Sequence, residues 1–165
     1  MRENLDLFPE AERVLTASRP TNPEWEKGIA HLLGLRRYPL IYKTNVWINK
    51  IPYVDDMSNY GVPDFWQTPD EFFDKGGDCE DYAIAKYTAL RELHVPADDM
   101  FIIIGRFTKR NIAHAVLSVA VEDKLYYLSN ENNLPLETVE DFVGFYKLNE
   151  NGVYVLRTPK LGKDT

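Results

Sequence analysis

The chain has 165 residues, 44% of them hydrophobic, with 19 basic against 26 acidic side chains and a net charge of −7. That length carries one domain, expected over residues 1–165, and that composition excludes a disordered segment. The acidic balance excludes nucleic acid as a partner, since phosphate binding needs clustered Lys and Arg, and no apolar run is long enough to insert in a membrane. Residues 1–20 are too polar for a signal peptide, which leaves a cytoplasmic protein or one read without its leader. With a single cysteine no internal disulfide can form, so the thiol needs another explanation.

Residues 1–19 carry a mixed amphipathic pattern around Leu5, Phe8, Val14 and Leu15, punctuated by Pro20 and Pro23. Thr21-Asn22-Pro23-Glu24 reads as a helix start, and residues 25–35 place Trp25, Ile29, Leu32 and Leu33 on one face. Residues 40–53 predict a second amphipathic helix with Ile41, Val46, Trp47 and Ile48 apolar, stopped by Pro52. Residues 53–66, rich in Asp, Asn, Gly and Pro, read as an irregular loop. Thr68-Pro69-Asp70-Glu71 opens a short helix that ends at Gly76-Gly77. Asp78 then caps the best-defined helix, with Asp81 placed to complete a capping box. Ala83, Ile84, Tyr87, Leu90 and His94 recur at helical spacing, and Pro96 closes the element.

Beyond Pro96 the period changes from helix to strand. Strands are expected at Met100–Phe107, Ile112–Val121 and residues 125–129, the last two joined through Glu122-Asp123-Lys124. Residues 143–148 and 153–156 form a further hairpin across Asn149-Glu150-Asn151-Gly152. Helices first and antiparallel strands after give an α+β architecture, with a central helix packed on an antiparallel sheet.

Gly76-Gly77-Asp78-Cys79-Glu80-Asp81 places the only cysteine in the first turn of a helix. Unpaired N–H groups and the positive end of the macrodipole favour a thiolate there and can receive an oxyanion. Asp78, Glu80 and Asp81 act the other way, raising the thiol pKa unless something neutralises them. The plainer reading is an ordinary small residue in an acidic helix start. His114 lies in an otherwise apolar strand, where a buried imidazole needs a partner. It is either a satisfied core histidine or a base, and a helix Cys followed by a strand His is the order of papain-like acyl-transfer enzymes. His31, on an amphipathic helix, and His94, at the far end of the cysteine's helix, suit the role less well.

Three blocks carry a resemblance: Trp66-Gln67-Thr68-Pro69-Asp70-Glu71-Phe72, Gly77-Asp78-Cys79-Glu80-Asp81-Tyr82-Ala83-Ile84-Ala85-Lys86-Tyr87, and Ala113-His114-Ala115-Val116-Leu117. Together they resemble the bacterial transglutaminase-like cysteine proteinases, whose LapG-type members are periplasmic proteases that cleave biofilm adhesins. The likeness extends upstream through residues 46–48 and Tyr60-Gly61-Val62, and downstream through Tyr146-Lys147-Leu148-Asn149 and Gly152. It implies a papain-like, transglutaminase-like fold with Cys79 as nucleophile and His114 as base. It also implies calcium bound by Asp78, Glu80 and Asp81, a chemistry that hard carboxylate oxygens suit. The Cys79 N–H, helped by Trp66 or Gln67, would hold the oxyanion. A large surface adhesin as substrate, a periplasmic setting and an inner-membrane cyclic-di-GMP receptor as partner come from the resemblance alone.

One position departs from the family. Its third catalytic residue is an Asp in a Leu-Asp-Asn sequence, and this chain reads Tyr127-Leu128-Ser129-Asn130. Ser129 can fix the histidine tautomer but cannot stabilise imidazolium as a carboxylate does. Asn130 and Glu131 are the alternatives. Two other functions stay open: a transglutaminase or amidase on the same fold, and a binding module that has lost activity.

Overall fold

The structure, a computed structural model, describes residues 8–156 and the backbone of Arg2–Glu3. Helices α1 (Pro9–Leu15), α2 (Pro23–Leu32), α3 (Arg37–Asn49), α4 (Asp56–Tyr60), α5 (Pro69–Lys75) and α6 (Cys79–Glu92) precede most of the sheet. Strands β1 (Arg2–Glu3), β2 (Met100–Phe107), β3 (Ile112–Val121), β4 (Lys124–Ser129), β5 (Asn132–Leu136), β6 (Phe142–Asn149) and β7 (Gly152–Val155) form one antiparallel sheet. Its order is β1-β7-β6-β2-β3-β4-β5. The α+β, transglutaminase-like architecture expected from the sequence is the observed one. Among the described residues no helix is long and apolar enough to cross a membrane.

One helix organises the interior. α6 lies against the sheet and is buried on both flanks, so its apolar residues serve two clusters. Ile84, Tyr87 and Leu90 pack with Ile102, Leu117, Leu128 and Leu148 of the sheet. Tyr82, Ala85 and Ala89 pack instead with Trp25, Ile29, Ile48 and Phe72 from the outer helices. A helix buried nearly all round must be apolar nearly all round; beyond the acidic first turn of Glu80 and Asp81, Lys86 is the buried charged residue of α6. Its Nζ is fully buried and has no hydrogen-bond partner, and burial drives its pKa well below the usual lysine value.

Several sequence expectations give way to local chemistry. Leu33 is 63% exposed rather than on the buried face, because α2 stops at Leu32 and Gly34 turns the chain at φ +80. α3 begins at Arg37 and ends at Asn49, short of Pro52, and two of its buried positions are polar, Thr44 and Asn45. The predicted loop 53–66 contains α4, capped by Asp55 through its bond from the Ser58 N–H at 2.8 Å. His94 is exposed at φ 73, beyond the end of α6 rather than on its face. β5 gave no sequence signal: Asn-Asn-Leu-Pro-Leu does not alternate, and it contains Pro135. In the N-terminal pattern Val14 is buried, while Leu5 lies outside the described residues.

The amine buried inside α6, 5.7 Å from the Tyr82 ring centre and without a hydrogen-bond partner, yields a direct test. A buried polar group without a partner costs roughly 1–3 kcal/mol, and methionine matches the lysine stem. Lys86→Met is therefore expected to raise the unfolding free energy by about that amount in urea titration. A destabilised variant would show that the amine has a partner.

Candidate active site

The turn that launches α6 is built by close contacts. α5 begins with a capping box, in which the Glu71 N–H donates to Thr68 Oγ1 and Glu71 Oε1 accepts from the Thr68 N–H. It ends at Gly76, held at φ +74, where a Cβ would stand 2.6 Å from the Pro52 carbonyl. At Gly77 a Cβ would fall 2.5 Å from both Asp81 Oδ2 and Gln67 Nε2. Glycine lets those side chains close over the turn. Asp81 accepts the Gln67 N–H at 2.9 Å, Gln67 Nε2 at 3.0 Å and the Asp78 N–H at 3.0 Å. Gln67 Nε2 also donates to the Gly76 carbonyl at 2.8 Å, and Gln67 Oε1 accepts from Tyr60. Every Gln67 donor is thus committed to the scaffold. Gln67, expected at the oxyanion hole, has none to offer an oxyanion, whereas Trp66 does line the cleft.

Cys79 opens α6, half-buried, with its thiol donating to Glu80 Oε2 at 3.4 Å. Burial, then the Glu80 and Asp78 charges, push the thiol well above its ordinary value, against a smaller lowering by the Ala115 N–H. The same cleft of about 370 Å³ is lined by Cys79 and His114, with Tyr53, Asp64, Trp66 and Ala115 around them.

His114 is 5% exposed on β3. Its ring stacks on Phe107 at 4.5 Å and meets Phe142 edge-on at 6.0 Å. Nε2 lies 3.2 Å from Ser129 Oγ, which also accepts the Glu131 N–H at 3.2 Å. This bond leaves Nδ1 as the ring nitrogen available to the cleft. Burial lowers the His114 pKa to about 4, so the imidazole is neutral at pH 7. The other two orienter candidates are engaged differently. Glu131 forms a two-pronged pair with Arg110 at 2.9 and 3.0 Å, and that guanidinium holds its carboxyl below the usual range. Asn130 Oδ1 is buried with no hydrogen-bond partner. His31 and His94 are exposed elsewhere.

The acidic cluster is larger than Asp78, Glu80 and Asp81. Carboxylate oxygens of Asp56, Asp78 and Asp81 lie within 4.8 Å of one another, as do those of Asp56, Asp64 and Glu80. Asp56, 1% exposed, shares both groups. Asp56 and Asp64 fall in the predicted loop, and only its density of aspartates could have signalled them. Burial first, and neighbouring carboxylates second, push Asp78 up to about 11. Burial also pushes Glu80 up to about 8 and raises Asp56 and Asp81. Asp56 Oδ1 and Asp78 Oδ1 are buried without a partner, an arrangement that a bound cation would satisfy. Hard oxygen donors converging in this way fit calcium.

Residues 27–140 match the bacterial transglutaminase-like cysteine proteinases (BTLCP). The chain belongs to this family. It is accordingly a cysteine protease acting on protein substrates. Among solved structures, calcium-bound Legionella pneumophila LapG is similar at 27% identity and TM-score 0.72, covering 93% of this chain and 88% of that one. EGTA-treated LapG of the same organism gives 27% and 0.74 over 97% and 89%. A third LapG structure gives 26% and 0.73 over 98% and 93%. No curated protein sequence matches the chain.

Burial of this proteinase's acidic cluster, with neighbouring carboxylates adding to it, sets a pH dependence. Folded, Glu80 keeps its proton up to about 8, against an ordinary value of 4.5. The folded state therefore binds more protons across that window, and stability falls as pH rises through it. In chelator at about pH 8, Glu80→Gln is expected to melt above the wild type and to flatten the decline between about pH 5 and 8. Equal melting curves at both pH values would refute the raised proton affinity of Glu80.

Proposed function

We propose that this protein hydrolyses peptide bonds through an acyl-enzyme on Cys79, with His114 as base and Ser129 as the group that orients it. The observation that carries this reading is the shared cleft: a helix-start thiol and an imidazole face it together, and Ser129 holds the imidazole's far nitrogen. His114 Nδ1 takes the thiol proton, and the sulfur attacks the scissile carbonyl carbon. The oxyanion is received by the Cys79 N–H, which the helix start leaves without an internal acceptor. His114 then protonates the leaving amine. Water, deprotonated by His114, cleaves the thioester and releases the second fragment. His114 rests neutral with a ring lone pair free. The burial that keeps it neutral also weakens it as a base, so the proton transfer depends on whatever lowers the thiol pKa.

Calcium is the proposed cofactor, held by Asp56, Asp78 and Asp81 with Glu80 and Asp64 adjoining, so Asp56 joins the ligands expected from the sequence. When bound, it supplies positive charge that offsets the carboxylates beside the thiol. The calcium-bound form of LapG supports the choice of ion. We take residues 1–165 as one domain, a large bacterial surface adhesin as the substrate and the periplasm as the setting. An inner-membrane cyclic-di-GMP receptor is the proposed regulatory partner. These last assignments rest on the family resemblance.

Cys79→Ala is expected to abolish cleavage of a protein substrate while keeping the wild-type melting curve; surviving cleavage would rule out the mechanism. The same assay, run with a primary amine present, separates hydrolysis from cross-linking. Calcium is expected to raise the melting temperature by mass action, and chelator to reverse it. Asp56→Asn is expected to weaken the effect, and calorimetry without calcium heat would remove the cofactor.

Ser129→Ala removes a single neutral hydrogen bond, so turnover is expected to fall only about fivefold. Ser129→Asp places a carboxylate beside Nε2 and is expected to raise both the His114 pKa and turnover. A dead Ser129→Asp variant with unchanged folding would show that another group orients His114.

A further inference from the structure

The turn from β4 to β5 begins at Ser129 and is held by side chains from a distant helix. Asn45 and Asn49 stand four residues apart on α3, hence on one face. Asn45 Nδ2 donates to the carbonyls of Asn132 and Asn133 at 2.8 and 2.9 Å. Asn49 Nδ2 donates to the carbonyls of Ser129 and Asn132 at 3.0 and 3.1 Å, and lies 3.3 Å from Asn133 Oδ1. Both amides turn their donors towards the same few residues.

That arrangement leaves a mark on the other end of each amide. Asn45 Oδ1 and Asn49 Oδ1 are both buried without a hydrogen-bond partner. A bare buried acceptor is destabilising. Two of them side by side indicate that the turn's placement, rather than net stability, is what these residues secure. What the turn places is Ser129 Oγ, 3.2 Å from His114 Nε2. A carboxylate would offer Nε2 two oxygens and a charge-assisted bond, which tolerates small displacements. A serine offers one oxygen, already shared with the Glu131 N–H. Its alignment with the imidazole is therefore set by the backbone beneath it.

We propose that Asn45 and Asn49 are positioning residues for His114, fixing the Ser129 turn so that a neutral hydroxyl can hold the imidazole where a carboxylate would otherwise do so. The inference rests on the assignment of His114 as base. Small displacements of a reacting group can cost up to about 10²-fold in rate. Asn49→Ala and Asn45→Ala are thus expected to lower kcat about tenfold or more with KM within about twofold. The alkaline and acid limbs of the rate profile should shift with them. Nitrogen NMR of the full chain should show the His114 ring changing from a single tautomer to a mixture. Asn49→Gln, which keeps the donor on a longer stem, should recover part of the rate, and Asn49→Ser is the milder variant should Asn49→Ala fail to fold.

A lower melting temperature with kcat, rate profile and His114 resonances unchanged would overturn the proposal in favour of a structural role. His114→Gln with full activity would overturn it together with the base assignment. His114→Gln without activity, beside asparagine variants of wild-type kcat and resonances, would overturn the positioning role alone.

Discussion

The Asp81 carboxylate is the contact on which the site depends. One side chain receives N–H donors from Gln67, through both backbone and amide, and from Asp78. Those bonds tie the segment ahead of α5, the glycine turn after it and the first turn of α6 to a single point. The direction in which Cys79 leaves the turn follows from that knot, as does the cleft wall at Trp66. Hydrogen bonds to a carboxylate are individually stronger than neutral ones, and here they operate inside the protein, where water competes little. The absent side chain at Gly77 is part of the same design, because any Cβ there would occupy the space where Asp81 and Gln67 meet.

The knot sits in an electrostatically unfavourable neighbourhood. Asp78 and Glu80 crowd the thiol, Asp56 lies beside them, and burial raises all of them along with it. A nucleophile built only for reactivity would have basic neighbours. The proposed cation would offset this acidic shell, and the two bare oxygens of Asp56 and Asp78 are groups that it would satisfy. His114 is insulated differently. Phe107 stacks on the ring and Phe142 meets it edge-on, and Arg110 lies 3.7 Å over the Phe107 ring while engaged by Glu131.

The strands Met100–Phe107 and Ile112–Val121 were legible in the sequence because β-branched runs bounded by turns leave few alternatives. Cys79 at a helix start was equally legible, since Gly-Gly-Asp specifies a turn and a cap by local chemistry. Ser129 was the first of three candidates that the family resemblance offered beside His114, with Asn130 and Glu131 as the others, and the fold brings its hydroxyl 3.2 Å from Nε2. Asp56 and Asp64 were hidden because their role arises from tertiary convergence of a loop with α6. Gln67 was misassigned for the same reason: an amide near a nucleophile looks like an oxyanion donor until its partners are known. Asn45 carries no sequence signal of its own, and only the fold reveals that it faces inward. Helix ends failed where one glycine, Gly34, or an unfavourable φ at His94 overrode the apolar period.

β5 closes one margin of the sheet, and its proline has a consequence for how other chains can approach. An edge strand normally offers a ladder of backbone donors and acceptors that an extended peptide can extend. Pro135 has no N–H, so this five-residue strand lacks a donor at its fourth position. A visiting polypeptide therefore gains little by lying alongside it, and copies of the protein are discouraged from zipping together there. For an enzyme whose substrates are themselves polypeptides, that directs extended chains away from this margin of the sheet and towards the cleft proposed at Cys79.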